Sequence, residues 1–354
     1  MGKDSEFYKE KTRKLKIKLQ ELLELLPGFA VDFIHSKALT AQPSTLVSYS
    51  YDLLTFFNFL IDNNPSFKDY ATKDFRLDDI KMLQAEDIME YQRYLELNVT
   101  SGNYHENGHK SIARKMAPLR GMYRYHLLHK NLKENPMDLV PLPKINKDKN
   151  IVRMNNLEVQ SILNAIENGN ASMSERQRKI CEKTKQRDYA ILVLLLNTGI
   201  RVSECNGLDV NDIDLIANTL TIVRKGGGQD ILYFGNEVHN ALESYITGER
   251  TMIKVVSGHE KALFYSMKGK RMSVDAIEIL VKKYARIAVP NKKITPHKLR
   301  STYGTALYRE TGDIRLVADV LGHENVNTTV NYYAAIEDEH KREAANAVDF
   351  HRND

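Results

Sequence analysis

Six side chains of this 354-residue chain, drawn from five short stretches, are of types that together can do phosphoryl chemistry. They are Arg201 in TGIRVSE, Lys225 at a basic turn, His297 and Arg300 in HKLR, His323 in LGH, and Tyr332. A guanidinium suits a phosphodiester because its planar fork binds two oxygens and stays charged at any accessible pH. Attack at phosphorus piles negative charge onto the equatorial oxygens, so fixed cations there stabilise the transition state. Lysine and imidazole can move protons, and a tyrosine oxygen can serve as nucleophile.

Local spacing says how these groups are held. Glu204 lies three residues after Arg201, an interval that pairs side chains on a helix. The same interval separates His297 from Arg300, on a helix expected to start at Pro296 with Thr295 as its cap, which puts both side chains on one face. Lys225 runs into Gly226, Gly227 and Gly228, a turn permissive enough to approach a backbone closely. Arg224 is a neighbouring cation of the same turn, and Tyr333 adjoins Tyr332. Consecutive helical positions point about 100° apart, so only one of the two tyrosines can face a given phosphate.

The elements around these motifs read as mostly helical. Helical patterns are expected over 5–26, 44–62, 85–97 and 109–130, separated by Pro27-Gly28, Pro43-Ser44, Asn63-Asn64-Pro65 and Gly102. The first 140 residues thus read as all-helical, with Ser44 capping a helix whose stripe is Tyr49, Leu53, Phe56 and Leu60. A stripe of Leu15, Leu19, Leu22 and Leu26 runs along the first helix, which either supports contacts between protomers or caps the first domain. The stretch ENPMDLVPLPKINKDKNIVRM holds three prolines and a run of lysines and asparagines, the composition of a linker. Beyond it, a helix capped by Asn156 and a buried apolar helix over 186–198 lead to three short strands, VNDIDLI, NTLTIVRK and QDILYF. Everything after residue 236 again reads as helix, including 273–288, 297–310, 313–321 and 327–333.

Composition bounds the class. With 42% hydrophobic and 27% charged residues the chain is an ordinary globular one, and its length favours two domains. Two cysteines, Cys181 and Cys205, show neither a pairing pattern nor metal-ligand spacing. A charged N-terminus without an apolar core, and no run of about 18 apolar residues, point to a cytoplasmic protein with no membrane partner. Net charge is only +5, but residues 101–150 carry ten Lys/Arg against four Asp/Glu. Within that stretch Ile112, Met116, Leu119, Met122 and Tyr123 mark the apolar face of a helix, and Lys110, Arg114, Arg120 and Arg124 lie largely elsewhere. Those four cations either contact DNA phosphates or solvate a helix face.

Taken in order and in their expected secondary-structure context, TGIRVSE, the basic hairpin, HKLR, LGH and a tyrosine nine residues past His323 resemble the catalytic domain of the tyrosine recombinases, the phage integrase and Xer-like family. The motifs cover about residues 152–337, and the helical first part is similar to that family's core-binding domain in architecture only. The resemblance implies roles for the residues. Arg201 and Arg300 would clamp the phosphate, with Glu204 orienting Arg201. His297 would accept or orient the tyrosine proton, Lys225 would protonate the departing 5′ oxygen, and His323 would donate a hydrogen bond. Tyr332, selected over Tyr333 by the interval, would be the nucleophile. No metal, cofactor or ATP is implied.

The expected architecture is therefore mainly α and two-domain: a helical core-binding domain over 1–140, a linker over 141–152, and a mostly helical catalytic domain over 153–337 with a small three-stranded antiparallel sheet. A helix-prone tail over 338–354 either docks on a neighbouring protomer or packs on its own domain. The implied function is site-specific recombination of double-stranded DNA by a homo-oligomer, a tetramer in synapsis, through a 3′-phosphotyrosyl intermediate and a Holliday junction. A type IB topoisomerase would use the same residues, and a DNA-binding module without catalysis would show gaps in the set. The charged first helix in place of a small β-rich unit favours an Xer-like or transposon-type enzyme.

Overall fold

A computed structural model of the chain describes residues 6–100, 103–144, 153–168, 175–224 and 226–323. The chain divides into two compact units, with the boundary between Lys149 and Asn150. It is mainly α-helical, as expected. Among the described residues no helix is long and apolar enough to cross a membrane.

The first unit contains helices α1 (Glu6–Leu23), α2 (Gly28–Lys37), α3 (Pro43–Asn63), α4 (Leu77–Met82), α5 (Ala85–Glu96) and α6 (His109–Leu128). Its core is aromatic. Phe33, Leu53, Phe56, Phe57, Leu60 and Tyr91 are fully buried with Ile112, Met116, Met122 and Tyr123 from the expected stripe of α6. Phe56 meets Tyr91 edge-on at 5.0 Å between centroids, the geometry the ring quadrupoles favour.

Three sequence expectations change here. The unit is not all-helical: strands β1 (Leu97–Thr100) and β2 (Asn103–Glu106) form an antiparallel hairpin, with Leu97 opposite Glu106. Pro27-Gly28 begins α2 rather than only ending α1. And α3 starts one residue earlier than expected, with Gln42 at the cap position and Pro43 as its first residue. Proline is favoured there because its ring presets φ and its missing N–H would have no helical partner.

The second unit contains α7 (Asn156–Asn168), α8 (Glu175–Glu182), α9 (Lys185–Thr198), α10 (Val202–Gly207), β3 (Ile213–Asp214), β4 (Thr219–Val223), β5 (Gln229–Tyr233), α11 (Asn236–Thr247), α12 (Val274–Ala288), α13 (Pro296–Thr311) and α14 (Ile314–Leu321). Helix α9 is the centre of the unit. Its residues from Ala190 through Leu196 are all buried, as a helix apolar on every side must be, and α7, α11 and α13 pack around it. The three strands pair antiparallel in the order β3-β4-β5, with Thr219 opposite Tyr233 and Val223 opposite Gln229. Leu220 and Ile222 of β4 face the core by the two-residue period of a strand.

Two details again differ from expectation. The cap of α7 is Asn155, not Asn156: its Oδ1 accepts from Glu158 N at 2.8 Å while the Glu158 carboxylate accepts from Asn155 N at 2.8 Å. Helix also does not continue from α11 to α12. A single 3-10 turn at Glu249–Met252 gives way to a loop pinned by bridges between Asp209 and Ala262 and between Tyr265 and Arg271. The Glu249 carboxylate accepts from the N–H groups of Gln186 and Arg187, covering donors that the start of α9 leaves open.

Candidate active site

Helix α9 ends where the site begins. Gly199 terminates it at φ 62°, and a Cβ added there would sit 2.4 Å from the ring of Tyr303. The left-handed turn delivers Arg201 to the N-cap position of α10. Glu204, one turn on, accepts from Arg201 N at 2.7 Å with one carboxylate oxygen and from Arg201 Nη1 at 2.8 Å with the other. Three residues of separation thus let one carboxylate cap the helix start and fix the guanidinium. Glu204 is only 3% exposed, and a buried carboxylate is tolerated because it is paired and hydrogen-bonded.

Helix α13 starts at Pro296 with Thr295 at the cap position, although the Thr295 hydroxyl makes no capping bond. His297 is exposed, whereas Arg300 is 4% exposed. Arg300 donates through Nη1 to Gly199 O at 2.6 Å and through Nη2 to Leu321 O. It therefore ties the end of α9 to the end of α14.

The end of α14 is the focus of the site. Asp313 caps its start by accepting from Arg315 N and Leu316 N, and Gly322 closes it at φ 59° while His323 N donates back to Ala318 O at 2.9 Å. The last carbonyls of a helix have no partner within it and carry the negative end of its dipole. Here they attract three guanidiniums. Val320 O accepts from Arg224 Nη2 at 2.8 Å, Leu321 O from Arg300, and Gly322 O from Arg201 Nη2 at 3.1 Å.

His323 emerges from this cluster half-buried. Burial first, and then the charges of Arg300, Arg201, His297 and Arg224, hold its imidazole well below the usual range, at about 4. At neutral pH the ring is uncharged and offers one N–H donor. Fixed guanidiniums beside a neutral imidazole can hold a phosphate and take up the charge that grows on it during attack.

The structure thus gathers Arg201, Glu204, Arg300 and His323, with His297 close enough to bear on the titration of His323. Lys225 and Tyr332 lie outside the described residues, as does the expected tail over 338–354. The four cations of α6 belong to the other unit. Lys110 and Arg124 are exposed. Arg114 makes a bidentate pair with the buried Asp52, at 2.8 and 3.1 Å, and Arg120 Nη2 donates to Met137 O and Val140 O. Sequence reasoning passed over one member of the cluster. Arg224, in the sequence only a cation beside Lys225, belongs to it, and the signal that points to it is Asp230, its opposite charge across the glycine turn. Among the described residues no group of three or more His, Cys, Asp and Glu side chains could hold a metal ion.

Comparison with known proteins finds relatives of this chain. The family model described as the phage integrase family matches residues 153–340. Tyrosine recombinase XerC of Caldanaerobacter subterraneus subsp. tengcongensis is 33% identical over 311 residues, covering 86% of this chain and 81% of that protein. Tyrosine recombinase XerS of Streptococcus thermophilus is 29% identical, covering 94% and 97%. Among solved structures, the Tn1549 transposon integrase in complex with a circular intermediate DNA shares the fold at TM-score 0.61 and 20% identity, over 89% of this chain and 98% of that one. The XerH recombinase bound to its difH substrate in a post-cleavage complex gives TM-score 0.60 and 21% identity, over 88% and 81%.

Proposed function

This chain belongs to the phage integrase family of tyrosine recombinases, and from that premise we propose that it recombines DNA at specific sites by forming and resolving a 3′-phosphotyrosyl intermediate. The observation that carries the reading is the convergence of Arg201 and Arg300 beside His323 at the end of α14. All six residues singled out for phosphoryl chemistry, including Lys225 and Tyr332, also fall within the matched span 153–340.

The reaction follows from the chemistry of these groups. Tyr332 Oη attacks phosphorus and gives its proton to His297, whose neutral form can take it near pH 7. The bond from phosphorus to the 5′ oxygen breaks, its electron pair leaves with that oxygen, and Lys225 supplies the proton. Charge on the non-bridging oxygens is met by Arg201 and Arg300, and His323 donates to one of them. A 3′-phosphotyrosine and a free 5′ hydroxyl result. One phosphodiester has been exchanged for another, so the bond energy is kept and a 5′ hydroxyl from a second duplex can reverse the step.

In this reading DNA is the partner of both units, the first as a core-binding domain and the second as the catalytic domain. Four protomers in synapsis exchange strands in pairs through a Holliday junction, in the cytoplasm. A nicked duplex carrying the protein's own site, obtained by selecting bound sequences from a random library, tests the assignment. Incubated in EDTA and run on a denaturing gel, it yields a covalent protein–DNA adduct that Tyr332→Phe abolishes and Tyr333→Phe retains. The reverse pattern overturns the nucleophile, and no adduct on a bound site overturns the reading.

A further inference from the structure

Arg224 is the first residue beyond β4, and its guanidinium bonds in three directions at once. Nε and Nη2 both donate to Asp230 Oδ2 on β5, at 3.0 and 2.8 Å, closing the hairpin across its glycine turn. Nη2 also donates to Val320 O at 2.8 Å and Nη1 to Leu321 O at 3.4 Å, reaching the end of α14 next to His323. Nη1 lies 3.6 Å from Glu204 Oε2, so Arg224 shares the buried carboxylate that holds Arg201. Its backbone joins in: Arg224 N donates to Gly228 O at 2.8 Å, and Gly227 N donates to Arg224 O at 3.0 Å. At Gly322, an added Cβ would stand 2.7 Å from the guanidinium carbon, so the absence of a side chain is what admits Arg224.

These contacts leave Arg224 little to offer an incoming phosphate, because each nitrogen of its guanidinium already faces a protein acceptor: Nε and Nη2 meet Asp230, Nη2 also meets Val320 O, and Nη1 meets Leu321 O with Glu204 Oε2 at 3.6 Å. Lysine could not replace it, since a single ammonium cannot span a carboxylate and two carbonyls in the geometry of a rigid fork.

We propose that Arg224 is a positioning residue that fastens the β4–β5 hairpin to the carboxyl end of α14, so that the turn bearing Lys225 is registered against the phosphate site around His323 and Arg201. The inference rests on the reading of Lys225 as the acid that protonates the 5′ oxygen. A loose hairpin then costs leaving-group protonation and leaves phosphate binding intact.

A substrate with sulfur in place of the bridging 5′ oxygen separates the effects, because a thiolate, whose conjugate acid has a pKa of about 8.5, leaves without an acid. Single-turnover cleavage is measured for Lys225→Ala, Arg224→Ala and Arg224→Lys on both substrates. On the oxygen substrate all three are slowed by roughly 10²-fold or more, the scale of a lost general acid, and on the sulfur substrate they approach the parent. DNA affinity is unchanged in the Arg224 variants. If sulfur restores Lys225→Ala but not the Arg224 variants, the positioning role falls and the acid assignment stands. If sulfur restores none of them, the acid assignment falls and takes the inference with it. Should Arg224→Ala not fold, Asp230→Asn carries the same comparison: a loss confined to the oxygen substrate supports the role, and an equal loss on both overturns it.

Discussion

Arg201 and Arg300 donate to consecutive carbonyls, those of Gly322 and Leu321, at the end of one helix. They are 99 residues apart in the chain, and neither is adjacent to the other's element in sequence. Their meeting point is set by α14, whose terminal carbonyls lack helical partners and attract cations. The helix end therefore assembles the anion site before any anion is present, which spares the reaction the cost of gathering like charges.

Glu204 supplies the counter-charge for this assembly. Glu204→Gln removes one negative charge from between Arg201 and Arg224 and weakens an acceptor for the Arg201 N–H. The variant is expected to lose about 1–3 kcal/mol of stability, the scale for a compromised buried acceptor, and to cleave DNA more slowly. Calorimetry and single-turnover assays check this, and a parent-like melting temperature with full activity would refute it.

Two helix-ending glycines separate backbone strain from crowding. Gly312 and Gly322 have φ of 65° and 59°, but an added Cβ meets nothing within 4 Å at Gly312 and lies 2.7 Å from the Arg224 guanidinium at Gly322. Gly312→Ala is expected to cost about 1 kcal/mol and leave cleavage unchanged. Gly322→Ala should cost at least as much and also slow cleavage by displacing Arg224. Equal activities for the two variants would count against the packing argument.

His323 titrates at about 4 in the folded protein, against 6.5 for an unperturbed histidine. The unfolded chain binds the proton more readily, so the stabilising contribution is complete above about pH 6.5 and declines as pH falls toward 4. Imidazole NMR signals should place the midpoint near 4, and inorganic phosphate bound among the guanidiniums should raise it by offsetting their charge. A midpoint near 6.5 without phosphate would contradict the electrostatic picture.

The basic helix of the first unit divides by the same reasoning. Arg114→Ala would strand Asp52, 4% exposed, without its ion-pair partner, and is expected to lower stability by about 2 kcal/mol. Lys110→Ala and Arg124→Ala remove exposed charges. If these contact phosphates, each should reduce the slope of log affinity against log salt by about 0.9 and leave the melting temperature unchanged. An unaltered slope would remove them from the DNA interface.

Much of the site follows from local rules that the sequence carries by itself. The uniform apolar content of 186–198 makes α9 a buried helix, Gly199 ends it, and a three-residue interval pairs Arg201 with Glu204. Each depends on residues within about one helical turn, where the 3.6-residue period fixes which side chains can meet. The irregular loop after residue 252 and the hairpin at Leu97–Glu106 were not legible, because tertiary partners such as Asp209 with Ala262 decide them. Beyond these local pairs, tertiary structure decided where the arginines point. The carbonyls that Arg201 and Arg224 reach are 121 and 96 residues away, and a long flexible side chain takes its direction from whichever buried acceptors the packed helices present.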